Sequence, residues 1–367
     1  MVSIKLLLSL GASLALASPV PAPPSPVLIG REASHFNASR PNITIFATGG
    51  TIAGSAGSSD QTTGYEAGAL GVEVLIDAVP QLWNVSNPSG IQFANVGSSE
   101  MTPALLLNLT QMVQAEVDKP EVQGVVVTHG TDTLEETAFF LDLTLRTDKP
   151  VVVVGAMRPA TAISADGPIN LLEAVTVAAS KSARGRGVMV VLNDRIASAY
   201  YTTKTQANAP DTFKSAEQGF LGYLLDIKPI FYFQPALPVG RPYFNVTATE
   251  ADDLPQVDVL YGYQGLDPKL AAAAVSDGAK GLVCTGMGAG SWTKPGLKAL
   301  KQLVEEHGTA IVFSRRTTDG YVEGGSVGYG GGFLNPQKAR YTLMLALNAK
   351  YDDEKMHALF ESQSPSA

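Results

Sequence analysis

From residue 41 onward, short runs of β-branched and aliphatic residues alternate with longer stretches whose apolar positions recur at helical spacing. "ITIFATGG", "VQGVVVTHGTD", "KPVVVVGAM" and "GVMVVLND" are continuous apolar runs that stop at small or polar residues, whereas "GVEVLIDAVPQL", "LEETAFFLDLTL" and "PINLLEAVTVAASK" read as helices. Strands that are apolar throughout need cover on both faces, so the pattern predicts a largely parallel sheet between helical layers. The rhythm fails at "FYFQPALPVGRPYFNVTATEADDLPQ", where four prolines and the lack of a sustained period predict a linker over 236–255. It resumes with "VDVLYGY", "KLAAAAVSDG", "GLVCTGMGAGS", "PGLKALKQLVEEHG", "TAIVFSRR" and "NPQKARYTLMLALNA". The expected fold is α/β, with a large N-terminal mainly parallel-sheet domain over 41–235 and a smaller C-terminal α/β domain over 256–367. No repeat of fixed period is visible.

Composition narrows the class. A chain of 367 residues with 45% hydrophobic content can bury a large core, which excludes a disordered or fibrous protein. Lys5, the apolar run Leu6 to Leu16 and the small residues up to Ala17 have the form of a secretory signal over 1–17, followed by a proline-rich segment over 18–40. The apolar run is too short for a membrane span of about 18 residues. The sequons at Asn37, Asn42, Asn84, Asn108 and Asn245 fit that route as glycan acceptors. Both features lead us to expect a secreted protein, in the medium, periplasm or cell wall. Cys284 is the single cysteine, so no intrachain disulfide can form. A formal charge of −8 with no basic run argues against nucleic acid or an anionic membrane as partner.

Three strands end in small and hydroxyl-bearing residues: "FATGGT", "VVVTHGTDT" and "LVCTGMGAGS". Ligands of open parallel sheets sit beyond the carboxyl ends of strands, so these loops are expected to converge. The four histidines, His35, His129, His307 and His357, are scattered and the lone thiol has no partner, which argues against a metal site. "TGGTIAG" and "GMGAGS" do not complete a dinucleotide fingerprint. Gly324 to Gly328 spells G-x-S-x-G, but neither a strand before it nor a helix after it is evident, so a nucleophile elbow is not expected. Thr51 remains a candidate nucleophile, with glycines beside it to let a substrate approach the backbone and Tyr65 to take its proton. A turn-capping role would explain Thr51 alone equally well. In "THGTDTLEE", Thr133 is expected to cap the helix near Leu134 in a capping box with Glu136, leaving Thr131 and Asp132 to face the site.

"ATGGTIAG", "THGTDTLEETAFFLDL", "VGAMRP", "SADGPINL" and "GFLNPQKAR" together resemble the type II, bacterial-type L-asparaginase or asparaginase/glutaminase family, from about Asn42 to the last helix. The resemblance implies hydrolysis of asparagine to aspartate and ammonia without a cofactor. It also implies a homotetramer whose active sites combine the N-terminal domain of one subunit with the C-terminal domain of its neighbour. By matching position, Thr51 would be the nucleophile, Tyr65 its activator, and Thr131, Asp132 and Lys204 a second catalytic cluster with Lys204 as base for Thr131. Gly50, Ser98, Ser99, Gly130, Thr131, Asp132 and Ala156 would bind substrate, Ser98 at the α-carboxylate, Asp132 at the α-ammonium and the Ala156 carbonyl at the amide. The sequence departs from the family pattern at Ser99, where Gln or Glu is frequent, and at Ser291, where Asn is frequent. Glu323 is the candidate acidic contact in a shortened loop. Alternatives are a broad glutaminase-asparaginase and a catalytically silent secreted amino-acid-binding protein on the same scaffold.

Overall fold

The computed structural model describes residues 27–29, 35–54, 57–60, 68 and 70–362. Its large sheet uses strands β1 (Val27–Ile29), β2 (Asn42–Gly49), β3 (Asn87–Val96), β4 (Gly124–Thr128), β5 (Val151–Val154), β6 (Val188–Leu192) and β7 (Arg195–Ser198). A short ribbon, β8 (Thr203–Lys204) with β9 (Phe213–Lys214), leaves this sheet, and β10 (Gly222–Leu225) and β11 (Lys228–Phe231) complete it. The strand order is β1-β3-β2-β4-β5-β6-β7-β10-β11. Its centre, β3 through β6, is parallel, as the apolar runs imply, and both margins are antiparallel. The α/β fold expected from the sequence is present.

Two features of the sheet lie outside the sequence reading. Strand β3 begins Asn-Pro-Ser-Gly, residues that signal a turn, yet it is buried and pairs with β2 from Asn42↔Asn87 onward. Proline is tolerated because it stands near the strand's first residue. The antiparallel margin is set by two-residue turns at Asn193-Asp194 and Asp226-Ile227, all with positive φ of 51° to 60°, which suits the twist of adjacent strands.

Helices α1 (Val72–Asp77), α2 (Leu82–Val85), α3 (Pro103–Val117), α4 (Leu134–Thr144) and α5 (Gly167–Ala179) cover the large sheet. One face packs against α1, α2 and α5 around Ile43, Val126, Val152 and Leu171; the other packs against α3 and α4 around Phe46, Val127, Leu109 and Leu141. The smaller domain is a parallel sheet of β12 (Val257–Tyr261), β13 (Gly281–Gly286), β14 (Ala310–Arg315) and β15 (Tyr329–Gly330). It carries α6 (Lys269–Ser276), α7 (Lys294–His307), α8 (Pro336–Asn348) and α9 (Asp353–Glu361). Helix α8 lies between this sheet and α4, and a shared apolar cluster containing Phe139, Phe140, Tyr341 and Leu345 joins the domains. No described helix is long and apolar enough to cross a membrane.

Candidate active site

Strand β2 ends at Gly49, and the chain turns at Gly50, φ 78°, into a 3-10 turn over Thr51–Ala53. Thr51 is buried there at 7% exposure. A Cβ on Gly50 would stand 2.2 Å from the Gly130 nitrogen and 2.3 Å from its Cα, so these two loops meet backbone to backbone only because both residues are glycine. Gly130 in turn faces Ser98, whose Oγ would lie 2.8 Å from a Cβ placed there. The ends of β2 and β4 and the turn after β3 thus pack into one site.

The second threonine motif supplies the polar chemistry. Lys204 Nζ donates to Thr131 Oγ1 at 3.0 Å and to Asp132 Oδ1 at 2.6 Å. Thr131 is buried, the Lys204 side chain is 13% exposed, and the Asp132 side chain is 74% exposed, so the ion pair bridges from interior to solvent. Thr131 accepts from lysine, which leaves its own hydroxyl proton available to a substrate. Ala156 closes the opposite wall. A Cβ on Gly155 would lie 3.1 Å from Thr131 Cγ2, and one on Gly167 would lie 3.5 Å from the Ala156 Cβ and 3.1 Å from Ile52 Cγ1. The turn carrying Ala156 is fixed by Asp166, which accepts from the backbone N–H of Met157 at 3.0 Å and of Arg158 at 2.9 Å. Asn170 Nδ2 adds a bond to the Gly155 carbonyl at 3.0 Å. Asp166 and Asn170 stand in "SADGPINL", yet as site supports they went unassigned, since nothing in an isolated Asp or Asn marks it as a loop anchor.

The capping box expected at Thr133 and Glu136 is absent. Thr133 is the N-cap residue of α4, but its side chain makes no cap bond and donates instead to the Ser98 carbonyl at 2.7 Å. The reason is competition: the Ser98 carbonyl, which also accepts from the Met101 N–H at 3.3 Å, takes the hydroxyl in place of the helix N–H. Glu136 is driven inward, and burial followed by the neighbouring Glu135 charge pushes its carboxyl up to about 7. His129, between the two motifs, is wholly buried, with Nδ1 2.7 Å from the Gly130 carbonyl and Nε2 2.8 Å from Thr137 Oγ1. Burial depresses it to about 4, so it is neutral and serves as a strut between β4 and α4.

Other candidates lie elsewhere. Tyr65 lies outside the described residues. Ser99 is exposed and directs its hydroxyl at Glu100 Oε1, 3.4 Å away. Ser291 and Glu323 are exposed on the smaller domain, Ser291 in a tight turn bonded both ways to Met287 at 2.9 and 2.8 Å. Among the described residues no hydrogen bond or ion pair ties either to Ser98, Thr131, Asp132 or Lys204. Within the one chain, two of the three strand-end loops expected to converge are packed together, and the "TGMGAGS" loop opens from the other sheet. Gly324 to Gly328 forms a turn closed by Gly325 N to Gly328 O at 3.1 Å, and His357 pairs with Glu361 at 3.0 Å. That arrangement is no nucleophile elbow. Among the described residues no group of His, Cys, Asp and Glu is placed to hold a metal.

Comparison with known proteins decides the family. Residues 42–237 match the asparaginase N-terminal domain and residues 256–360 the glutaminase/asparaginase C-terminal domain. The chain belongs to the asparaginase family. It is an amidohydrolase on that fold. A probable L-asparaginase 1 of Schizosaccharomyces pombe is 58% identical over 89% of this chain and 90% of its own length. L-asparaginase 2 of Escherichia coli is 43% identical over 87% of this chain and 92% of its own length. A crystal structure described as a probable cytoplasmic L-asparaginase from Campylobacter jejuni superposes with TM-score 0.84 and 44% identity, covering 88% of this asparaginase-family chain and all of that one.

That relative corrects the secreted, periplasmic or cell-wall location expected from the sequence, since the matched protein is described as cytoplasmic. The expectation rested on the composition of residues 1–17, which lie outside the described residues and outside both matched domains. Of the sequons, Asn37, Asn84 and Asn245 are exposed, whereas Asn108 is half-buried on α3. The Asn42 amide is engaged with the Glu121 carbonyl at 2.7 Å.

Proposed function

We propose that this chain hydrolyses L-asparagine to L-aspartate and ammonia through an ester on Thr51. Thr51 Oγ1 attacks the side-chain amide carbon as its proton passes to Tyr65, which takes part as the phenolate, and backbone N–H groups of the facing β2 and β4 loops receive the oxyanion. Thr131, whose oxygen is occupied by the lysine, donates its proton to the leaving nitrogen; the C–N bond breaks and ammonia departs. Water then attacks the ester carbon and gives a proton to Thr131, which the release of ammonia left deprotonated; the bond to Thr51 breaks, Thr51 takes its proton back from the Tyr65 phenol, and aspartate leaves. Ser98 receives the α-carboxylate, and the free oxygen of Asp132 pairs with the α-ammonium while its other oxygen stays on Lys204. The Ala156 carbonyl accepts from the amide nitrogen. The observation that carries this reading is the Lys204–Thr131–Asp132 cluster packed through Gly130 against the Gly50-Thr51 turn.

Glutamine is longer by one methylene, a difference worth about 1 to 3 kcal/mol in a fitted pocket. Turnover of asparagine with glutamine slower by about tenfold or more supports an asparaginase. Equal kcat/KM for both would make the enzyme a broad glutaminase-asparaginase, and absence of ammonia release from either would remove the reading. Ser291 and Glu323, exposed on the other domain, are proposed to complete the site of a neighbouring subunit in a homotetramer.

A further inference from the structure

The C-terminal domain makes its own connection to the catalytic cluster within one chain. The start of α8 reads Asn335-Pro336-Gln337-Lys338, and each polar side chain of this tetrad reaches into the N-terminal domain. Lys338 is 2% exposed and donates to the carbonyls of Ala199 at 2.9 Å, Tyr200 at 2.9 Å and Thr202 at 2.5 Å. An ammonium has three protons, so all are used on the turn that leads into Lys204. Asn335 Oδ1 caps α8 by accepting from Lys338 N at 3.0 Å. Its amide nitrogen then donates to Thr203 Oγ1 at 3.3 Å and to Glu135 Oε2 at 3.1 Å. Gln337 Nε2 holds the other oxygen of Glu135, again at 3.1 Å. Glu135 is buried on the first turn of α4, three residues after Asp132.

We infer that Asn335, Gln337 and Lys338 are positioning residues that set the Lys204–Thr131 contact, by clamping the turn before Lys204 and the helix start after Asp132 onto one rigid helix end. The inference rests on the proposed roles of Thr131 and Lys204. It follows from the topology: Lys204 lies on a two-residue strand that, among the described residues, pairs only with the equally short β9, so the ribbon has little sheet of its own to hold it. A lysine that must stay within hydrogen-bond reach of Thr131 needs support from outside such a ribbon. The clasp also makes the site depend on docking of the smaller domain.

Asn335→Asp separates this role from folding, because aspartate caps a helix as well as asparagine does. It keeps the cap on α8 but turns two donors into an acceptor facing the Glu135 carboxylate. We expect kcat to fall about tenfold or more, with KM changed less than about threefold, since misplacing a catalytic group by about 1 Å can cost a hundredfold. Asn335→Asp combined with Glu135→Gln restores a carboxylate–amide contact with the partners exchanged, and should recover most of kcat. Labelling of Lys204 by an amine-acylating reagent, located by peptide mass spectrometry, should be faster in Asn335→Asp than in wild type and slow again in the double variant. That labelling reads the clasp without any turnover, so a protein that releases no ammonia would sink the proposed reaction and still test the clasp. Should Asn335→Asp alone fail to fold, the double variant and Gln337→Ala carry the same two readouts. The inference is overturned if Lys204 labelling is the same in wild type and Asn335→Asp. It is equally overturned if kcat in a folded Asn335→Asp stays within about twofold of wild type.

Discussion

Replacing Thr51 or Thr131 with alanine removes one hydroxyl from a site in which two loops are already locked by Gly50 against Gly130. Far-ultraviolet circular dichroism should be unchanged, while ammonia release should drop by about three orders of magnitude or more for each, because members of a catalytic unit fail together. Retention of a tenth of the activity by either variant would refute its role. Thr133→Val tests a finer point. Its hydroxyl holds the Ser98 carbonyl at 2.7 Å and makes no bond to the helix it starts. The change should therefore leave α4 intact and raise KM about three- to tenfold with kcat less affected, since a lost hydrogen bond is worth about 1 kcal/mol and Ser98 is proposed to receive the substrate carboxylate. Thr51, Thr131 and Asp132 could be singled out in the sequence as candidates because they stand at strand ends in short motifs, and the structure packs those strand ends together through Gly50 and Gly130. Thr133 was misread as a capping box, and Lys204 was recognisable only by resemblance, since a lysine in a polar loop gives no sign of the partner that a fold brings to it.

At the level of elements, continuous apolar runs announced the parallel centre of the sheet, whereas its antiparallel margin, set by the Asn193-Asp194 turn, was not foreseen. Strand β3 was concealed by turn-forming residues at its start, a case of tertiary burial overriding local preference. The clasp at α8 was equally concealed, because its central lysine binds only backbone carbonyls, which no side-chain pattern records. Its central residue makes it sensitive to pH. Burial lowers the Lys338 ammonium to about 8, against the attraction of the Glu135 and Asp142 carboxylates and with help from the Arg315 guanidinium. Below that pH the ammonium has all three protons in place; above it one carbonyl loses its donor. Turnover should decline as pH rises through about 8 and level off before the ordinary lysine value of 10.5. Stability moves the other way for this group. Over that window the unfolded chain still binds the proton that the folded chain has released, so unfolding becomes harder as pH rises. A kcat profile that falls through this window while Lys338 adds no loss of melting temperature would fit; a flat kcat profile to pH 10 would not.

The whole molecule is a pair of sheets joined through α8, with the threonine site at the carboxyl ends of the large sheet and Ser291 and Glu323 exposed on the small one. If Glu323 serves a neighbouring subunit, Thr51→Ala and Glu323→Ala proteins should each be poor at low asparagine. After dissociation and reassembly as a mixture they should regain activity in about a quarter of sites, as random pairing in an isologous arrangement requires. Activity that never exceeds the parental average, with reassembly confirmed by native mass spectrometry, would confine the site to one chain. The fold class of both domains could be read from the sequence, whereas location could not, since composition of an N-terminal segment does not establish its use. The most direct measurement is the intact mass of the protein quenched in acid during asparagine turnover. An ester on Thr51 adds about 115 Da, the mass of asparagine less ammonia, and Thr51→Ala should lack the adduct. Rapid turnover with no adduct at any quench time, or an adduct mapped by peptide sequencing to a residue other than Thr51, would contradict the threonine acyl-enzyme.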